Sequence, residues 1–157
     1  MIRQAFRLWK VAVAVAILVT LAACGGDEDN GGGEGGVTVD VTLQEFSVLP
    51  AEESAPAGEV TFNATNDGPE DPHELVVVRT DLAPDALPTT EEGAVDEEGE
   101  GVEVIGEIEE FPPGENESAS FDLEAGSYAL ICNVVEEHEG ELEAHYALGM
   151  RTGFIVE

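Results

Sequence analysis

From residue 37 onward, apolar and polar positions alternate along the chain with the period of β-strands. Val37, Val39, Val41 and Leu43 are interleaved with Thr38, Asp40 and Thr42, the pattern of a strand with one buried face. Phe46 and Val48 fall on the opposite parity, which predicts a bulge near Gln44-Glu45. After a turn at Pro56-Ala57-Gly58, Val60, Phe62 and Ala64 resume the alternation. Leu75 to Val78 is continuously apolar and predicts a strand buried on both faces. Val102, Val104 and Ile108 mark another β-rich stretch, and Ser118 to Leu123 alternates again. Ala125-Gly126-Ser127 turns the chain into Tyr128, Leu130 and Cys132, and Gly153 to Glu157 forms a last strand. No segment carries a sustained helical period. About seven short strands separated by Gly, Pro and Asn turns predict an all-β domain folded as a β-sandwich.

Two stretches depart from that pattern. Thr80 to Gly101 is twenty-two residues long, holds Pro84 and Pro88, and contains the acid run Glu91 to Glu100. A connection of that length predicts a solvated excursion, an acidic insertion with one helical turn at Ala83–Leu87. The other is the N-terminus. Met1 to Lys10 is basic, Val11 to Val19 is an unbroken apolar run, and Leu21-Ala22-Ala23-Cys24 follows. This is the layout of an export signal, too short for the roughly twenty apolar residues of a membrane span. An uncleaved membrane anchor is the alternative. Leu-Ala-Ala-Cys resembles the bacterial lipobox, which implies a signal peptide over 1–23 and a lipid on Cys24. Gly25 to Gly36 is a glycine-acid tether with nothing apolar to pack, leaving one folded domain over residues 37–157.

Charge narrows the partners. The 157 residues hold 35 Asp and Glu against 5 Lys and Arg. Three of those five cations, Arg3, Arg7 and Lys10, lie in the export signal, so only Arg79 and Arg151 remain in the domain. Such a surface excludes nucleic acid, whose binding requires cations against phosphates, and adsorption to anionic lipid. Acid spread over every loop without a single lysine fits a saline environment. The acid runs Glu91 to Glu100 and Glu136 to Glu143 are expected to be solvated surface, since they lack the ligand spacing of a calcium loop.

The candidate chemistry lies in a short inventory. Beyond the signal and Cys24, the soft ligands are Cys132, His73, His138, His145 and Met150, most of them between residues 132 and 150. Two histidines and a cysteine with a weak axial methionine are the ligand set of a blue-copper site, because thiolate and imidazole suit both oxidation states of copper. Singly, each residue has an ordinary explanation: Cys132 as a small core hydrophobe, His73 as a loop residue, Met150 as core. Their joint occurrence in an exported chain, where a lone thiol is prone to oxidation, favours a metal.

At these residues the chain resembles the cupredoxin family in its plastocyanin-like bacterial lipoprotein form. Asn66-Asp67-Gly68 with Pro72-His73-Glu74-Leu75-Val76 is similar to the segment that delivers the family's first histidine. Pro113-Gly114-Glu115 through Tyr128 is similar to the approach to the cysteine strand, and Tyr128 to Asn133 to that strand itself. His145-Tyr146-Ala147-Leu148-Gly149-Met150 matches the family's His-to-Met ending. The resemblance implies a Greek-key sandwich, one type 1 copper ion held by His73, Cys132, His145 and Met150, and electron exit through the exposed edge of His145. One departure stands out: twelve residues, NVVEEHEGELEA, separate Cys132 from His145 where the family has only a few. His138 is nearer the cysteine and is the alternative ligand; His145 keeps the four-residue gap to the methionine.

No serine–histidine–acid order or phosphate loop is present, so a non-enzyme is expected. Three functions follow. The first is a monomeric, lipid-anchored electron carrier on the extracytoplasmic face of a membrane, exchanging electrons with redox partner proteins there. The second is capture or delivery of copper with copper-handling partners, favoured by a pliable acidic ligand loop. The third is a copper-free β-sandwich acting as a surface-binding module.

Overall fold

Alternation in the first strand, β1 (Val37–Gln44), buries Val39, Val41 and Leu43 and leaves Asp40 and Gln44 outside. The computed structural model describes residues 36–138 and 140–157; the expected signal peptide and Cys24 lie outside the described residues. At Glu45-Phe46 the chain reverses, and β2 (Ser47–Pro50) pairs antiparallel with β1, Leu43 opposite Val48. The predicted bulge is therefore a hairpin. The parity change is real, but it arises because the strand turns back, so that Leu43 and Val48 face the same core.

Among the described residues, nine strands form two sheets. The first has the order β2-β1-β4-β7, with β4 (Gly58–Asn66) parallel to β1 and antiparallel to β7 (Asn116–Leu123). The second has the order β3-β11-β8-β5-β6, built from β3 (Ser54–Ala55), β5 (His73–Arg79), β6 (Glu103–Phe111), β8 (Gly126–Ile131) and β11 (Arg151–Val156). The chain changes sheet between β2 and β3, β3 and β4, β4 and β5, β6 and β7, and β7 and β8. This is the expected sandwich, with more and shorter strands than the alternation alone reveals. A separate hairpin, β9 (Val135–His138) with β10 (Glu141–Ala144), leads into a single helical turn, α1 (His145–Leu148).

Between the sheets lies the main core, where Phe62 of β4 meets Phe154 of β11 edge-on at 5.4 Å. Leu75 and Val77 of β5 point into it, while Val76 and Val78 point the other way into a second apolar cluster. That cluster revises the reading of residues 80–101. The excursion is not simply solvated: Leu87 and Val95 fold onto the outer face of the second sheet beside Tyr146, and Thr89 bridges Val95. The acids Glu91, Glu92, Glu97, Glu98 and Glu100 stay exposed. Ala83–Leu87 forms a turn, closed by the Ala86 N–H on the Ala83 carbonyl at 2.8 Å, in place of the expected helical turn. Pro88 explains this, because it disfavours the helical conformation at Leu87.

Tyr146 fastens this cover. Its hydroxyl donates to the Pro84 carbonyl at 2.8 Å and accepts the Leu87 N–H at 3.2 Å, and its ring lies under the Arg151 guanidinium. Tyr146→Phe is expected to cost about 1–2 kcal/mol, since it strands a buried N–H and a carbonyl. Hydrogen exchange at the Leu87 amide checks it: faster exchange there, with the main-core amides unchanged, is the expected result.

Candidate metal centre

Three segments converge at one end of the sandwich, and backbone hydrogen bonds set each in place. Asn66, fully buried at the end of β4, shapes the loop before β5: its side-chain amide donates to the carbonyls of Asp71 and Phe111, and its Oδ1 accepts the Gly68 N–H. A Cβ on Gly68 would lie 2.6 Å from a Glu45 carboxylate oxygen, so a larger residue there would push the Glu45 side chain aside. This loop delivers His73 to the first position of β5. Cys132 follows β8 directly, its N–H bonded to the Met150 carbonyl at 3.0 Å. Glu74 accepts the N–H of Asn133 at 2.9 Å and so ties the cysteine segment to β5. In α1, Gly149 at φ +130° ends the turn, and the Met150 N–H bonds the His145 carbonyl at 3.0 Å.

The long Cys-to-His segment also has a shape. It is the β9–β10 hairpin: Val135 pairs with Ala144, and the His145 N–H bonds the Val134 carbonyl at 2.9 Å. The insertion leaves the site and returns to it at nearly the same point, so its length does not separate Cys132 from His145. The acid-rich stretch is ordered β-structure.

Three donor atoms meet as a result. His73 Nδ1 and His145 Nδ1 are 3.2 Å apart, and Cys132 Sγ lies 3.4 Å from His145 Nδ1 and 4.0 Å from His73 Nδ1. All three residues are fully buried. The point equidistant from the three atoms is about 2.1 Å from each, close to metal–nitrogen and metal–thiolate bond lengths. The donor set and its geometry therefore fit a soft metal ion. Met150, also fully buried, is tied by its backbone to both Cys132 and His145. His138 is not part of this group. It is exposed near the tip of the hairpin, where it lines a shallow pocket of about 310 Å³ with Glu45, Asp71 and Glu143. The ring edge of His145 is not exposed, contrary to the exit route implied by resemblance: Glu136 accepts its Nε2–H at 2.9 Å, and Phe46 packs against it edge-on at 5.3 Å.

Burial dominates the electrostatics. It pushes the Cys132 thiol up to about 12 and, together with the neighbouring His145, holds His73 below its usual range, so its imidazole is neutral near pH 7. Burial also raises the Asp71 carboxyl, reinforced by Glu136 and Glu45. Glu45 itself is held low, because the N–H groups of Asp71 and Glu70 outweigh its burial. Glu74 is pushed up by burial from 4.5 to about 7. An acid whose folded pKa exceeds its unfolded value is more protonated in the native state, so stability falls as pH rises from 4.5 through 7. The metal-free protein should accordingly unfold at lower urea at pH 8 than at pH 5.5, and Glu74→Gln should shrink that difference. An undiminished difference in the variant would assign it to other groups.

The geometry can now be set beside known proteins. No protein-family model matches the chain, and no curated protein matches it by sequence. Among solved structures, it is similar to reduced auracyanin from the photosynthetic bacterium Roseiflexus castenholzii, with 19% identity, 78% of this chain and 96% of that chain covered, and a TM-score of 0.50. It is similar also to auracyanin B, with 21% identity, 76% and 88% covered, and a TM-score of 0.51. The fold is that of a cupredoxin. In this chain an acidic hairpin closes over the buried donor group.

Glu136, Glu74, Asn66 and Tyr146 were not singled out as site residues from the sequence. For Glu74 and Tyr146 the only signal was adjacency to His73 and His145. Glu136 had none: it is one glutamate within an acid run, and only the hairpin register brings it to the imidazole.

Proposed function

We propose that the protein binds one copper ion, which His73 Nδ1, Cys132 Sγ and His145 Nδ1 would hold with Met150 as a further, weak ligand, and carries single electrons. The observation behind this reading is the triangle of three buried donor atoms with a common point at bonding distance. Thiolate and imidazole in a trigonal set suit both copper oxidation states, and copper in such a set supplies a one-electron couple. The cupredoxin fold supports it. The residues do the rest: backbone bonds from Cys132 and Met150 hold the donors in one geometry, and burial keeps water from them. A preset, closed group favours electron transfer over copper exchange, since the pliable loop that would favour exchange is an ordered hairpin.

We place the carrier on the extracytoplasmic face of a membrane, held by a lipid on Cys24 and lifted by the tether 25–36, where redox proteins are its partners. Membrane extraction before and after Cys24→Ala tests the anchor. Stoichiometric addition of Cu(II), followed by visible and EPR spectroscopy, tests the centre. An intense thiolate-to-copper band with narrow hyperfine splitting is expected; tetragonal spectra, or binding of Cu(I) only, would favour copper handling, and no binding would overturn both.

A further inference from the structure

The hairpin that covers the donors carries one acid with a partner inside. Glu136 lies on β9 opposite Glu143, and this register, continued by Val135 with Ala144 and by the Val134 carbonyl on the His145 N–H, fixes where its carboxylate points. It reaches His145 Nε2 at 2.9 Å. That ring is fully buried, so no water competes for the proton. The other imidazole differs: His73 Nε2 has no hydrogen-bond partner, and the nearest carboxylate oxygen, on Glu45, is 3.9 Å away, beyond hydrogen-bond range. Asp71 stands on the same outer side of His145, its carboxylate grouped with that of Glu136 around the ring.

Hydrogen bonds to a carboxylate are the stronger kind, and a carboxylate on the distal nitrogen of a ligating imidazole fixes its tautomer and makes the other nitrogen a better donor. We propose that Glu136 is a positioning residue for the metal centre: it holds His145 with the proton on Nε2 and Nδ1 bare toward Cys132 and His73, and it stabilises Cu(II) relative to Cu(I). The second half rests on the copper reading; the first does not. Within the acidic segment Glu136 reaches the centre, while Glu137, the next residue on β9, is exposed on the opposite face of the hairpin.

The test compares Glu136→Gln, Glu136→Asp and Glu137→Gln with the parent chain. In the metal-free parent, long-range proton–nitrogen correlation spectra are expected to show the His145 proton on Nε2. In the copper-loaded protein, Glu136→Gln is expected to weaken Cu(II) binding about 10–100-fold with Cu(I) binding little changed. At 59 mV per tenfold for one electron, that raises the reduction potential by about 60–120 mV. Glu136→Asp should recover part of the loss, and Glu137→Gln, which removes an equal charge one residue away, should shift the potential far less. Equal shifts in Glu136→Gln and Glu137→Gln would reduce the effect to distant charge and overturn the proposal. So would a His145 proton found on Nδ1. If the parent binds no copper, the copper reading and the bias toward Cu(II) fail together, and the tautomer spectrum alone decides the role of Glu136.

Discussion

Cys132→Ala is expected to leave a folded protein without a blue copper centre. The side chain is fully buried among the donors and the main core, so its loss leaves a gap of about one methyl group, costing about 1 kcal/mol. The effect on metal is far larger, because the thiolate is the one anionic donor of the three and the source of the charge-transfer band. The metal-free thiol, pushed up to about 12, is protonated at every ordinary pH. Binding must therefore release its proton, and the apparent affinity of the parent should rise about tenfold per pH unit across the neutral range. In Cys132→Ala that slope should vanish along with the band. Competition against a copper-buffering chelator at pH 6, 7 and 8 measures both. A parent affinity independent of pH would mean that the thiol is not a ligand.

The second large effect concerns the fold. Phe62→Ala removes a fully buried ring that bridges the sheets, resting on Phe154 at 5.4 Å and Phe121 at 6.2 Å. Truncations of this kind cost about 3–5 kcal/mol, a large share of the roughly 5–15 kcal/mol that holds a domain of this size together. The urea midpoint should drop accordingly, with an unchanged slope. Leu49→Ala, at a side chain 48% exposed, should shift it by less than about 0.5 kcal/mol. A loss below about 1 kcal/mol at Phe62 would show that the sheets do not depend on that contact.

Much of this architecture could be read from local pattern, and what escaped it depends on contacts distant in sequence. The alternation of β1 and β4 and the apolar run of β5 follow from the requirements of a buried face, and the structure shows each. The reversal at Glu45-Phe46 looked like a bulge because both events change parity; only pairing distinguishes them. Residues 80–101 were read as solvated from their length, two prolines and acid run. Yet Leu87 and Val95 suffice to anchor the segment, given an outer sheet face that needs covering. At the centre, residue types and their order picked out His73, Cys132, His145 and Met150, three of which bring their donor atoms together. The buried state of His145 was not legible, since it depends on a hairpin whose sequence looks like charged linker.

The two-sided burial of β5 also bears on how the strand finds its alignment during folding. In most strands, slippage by one residue is penalised because apolar side chains exchange places with polar ones. Here Leu75 and Val77 would merely exchange places with Val76 and Val78, apolar for apolar. The penalty must come from the ends. A one-residue slip would carry the Glu74 carboxylate into the buried place of His73, or draw Arg79 inward from its ion pair with Glu124. Glu74, which ties the cysteine segment to β5, thus doubles with Arg79 at the far end as a stop that aligns the strand.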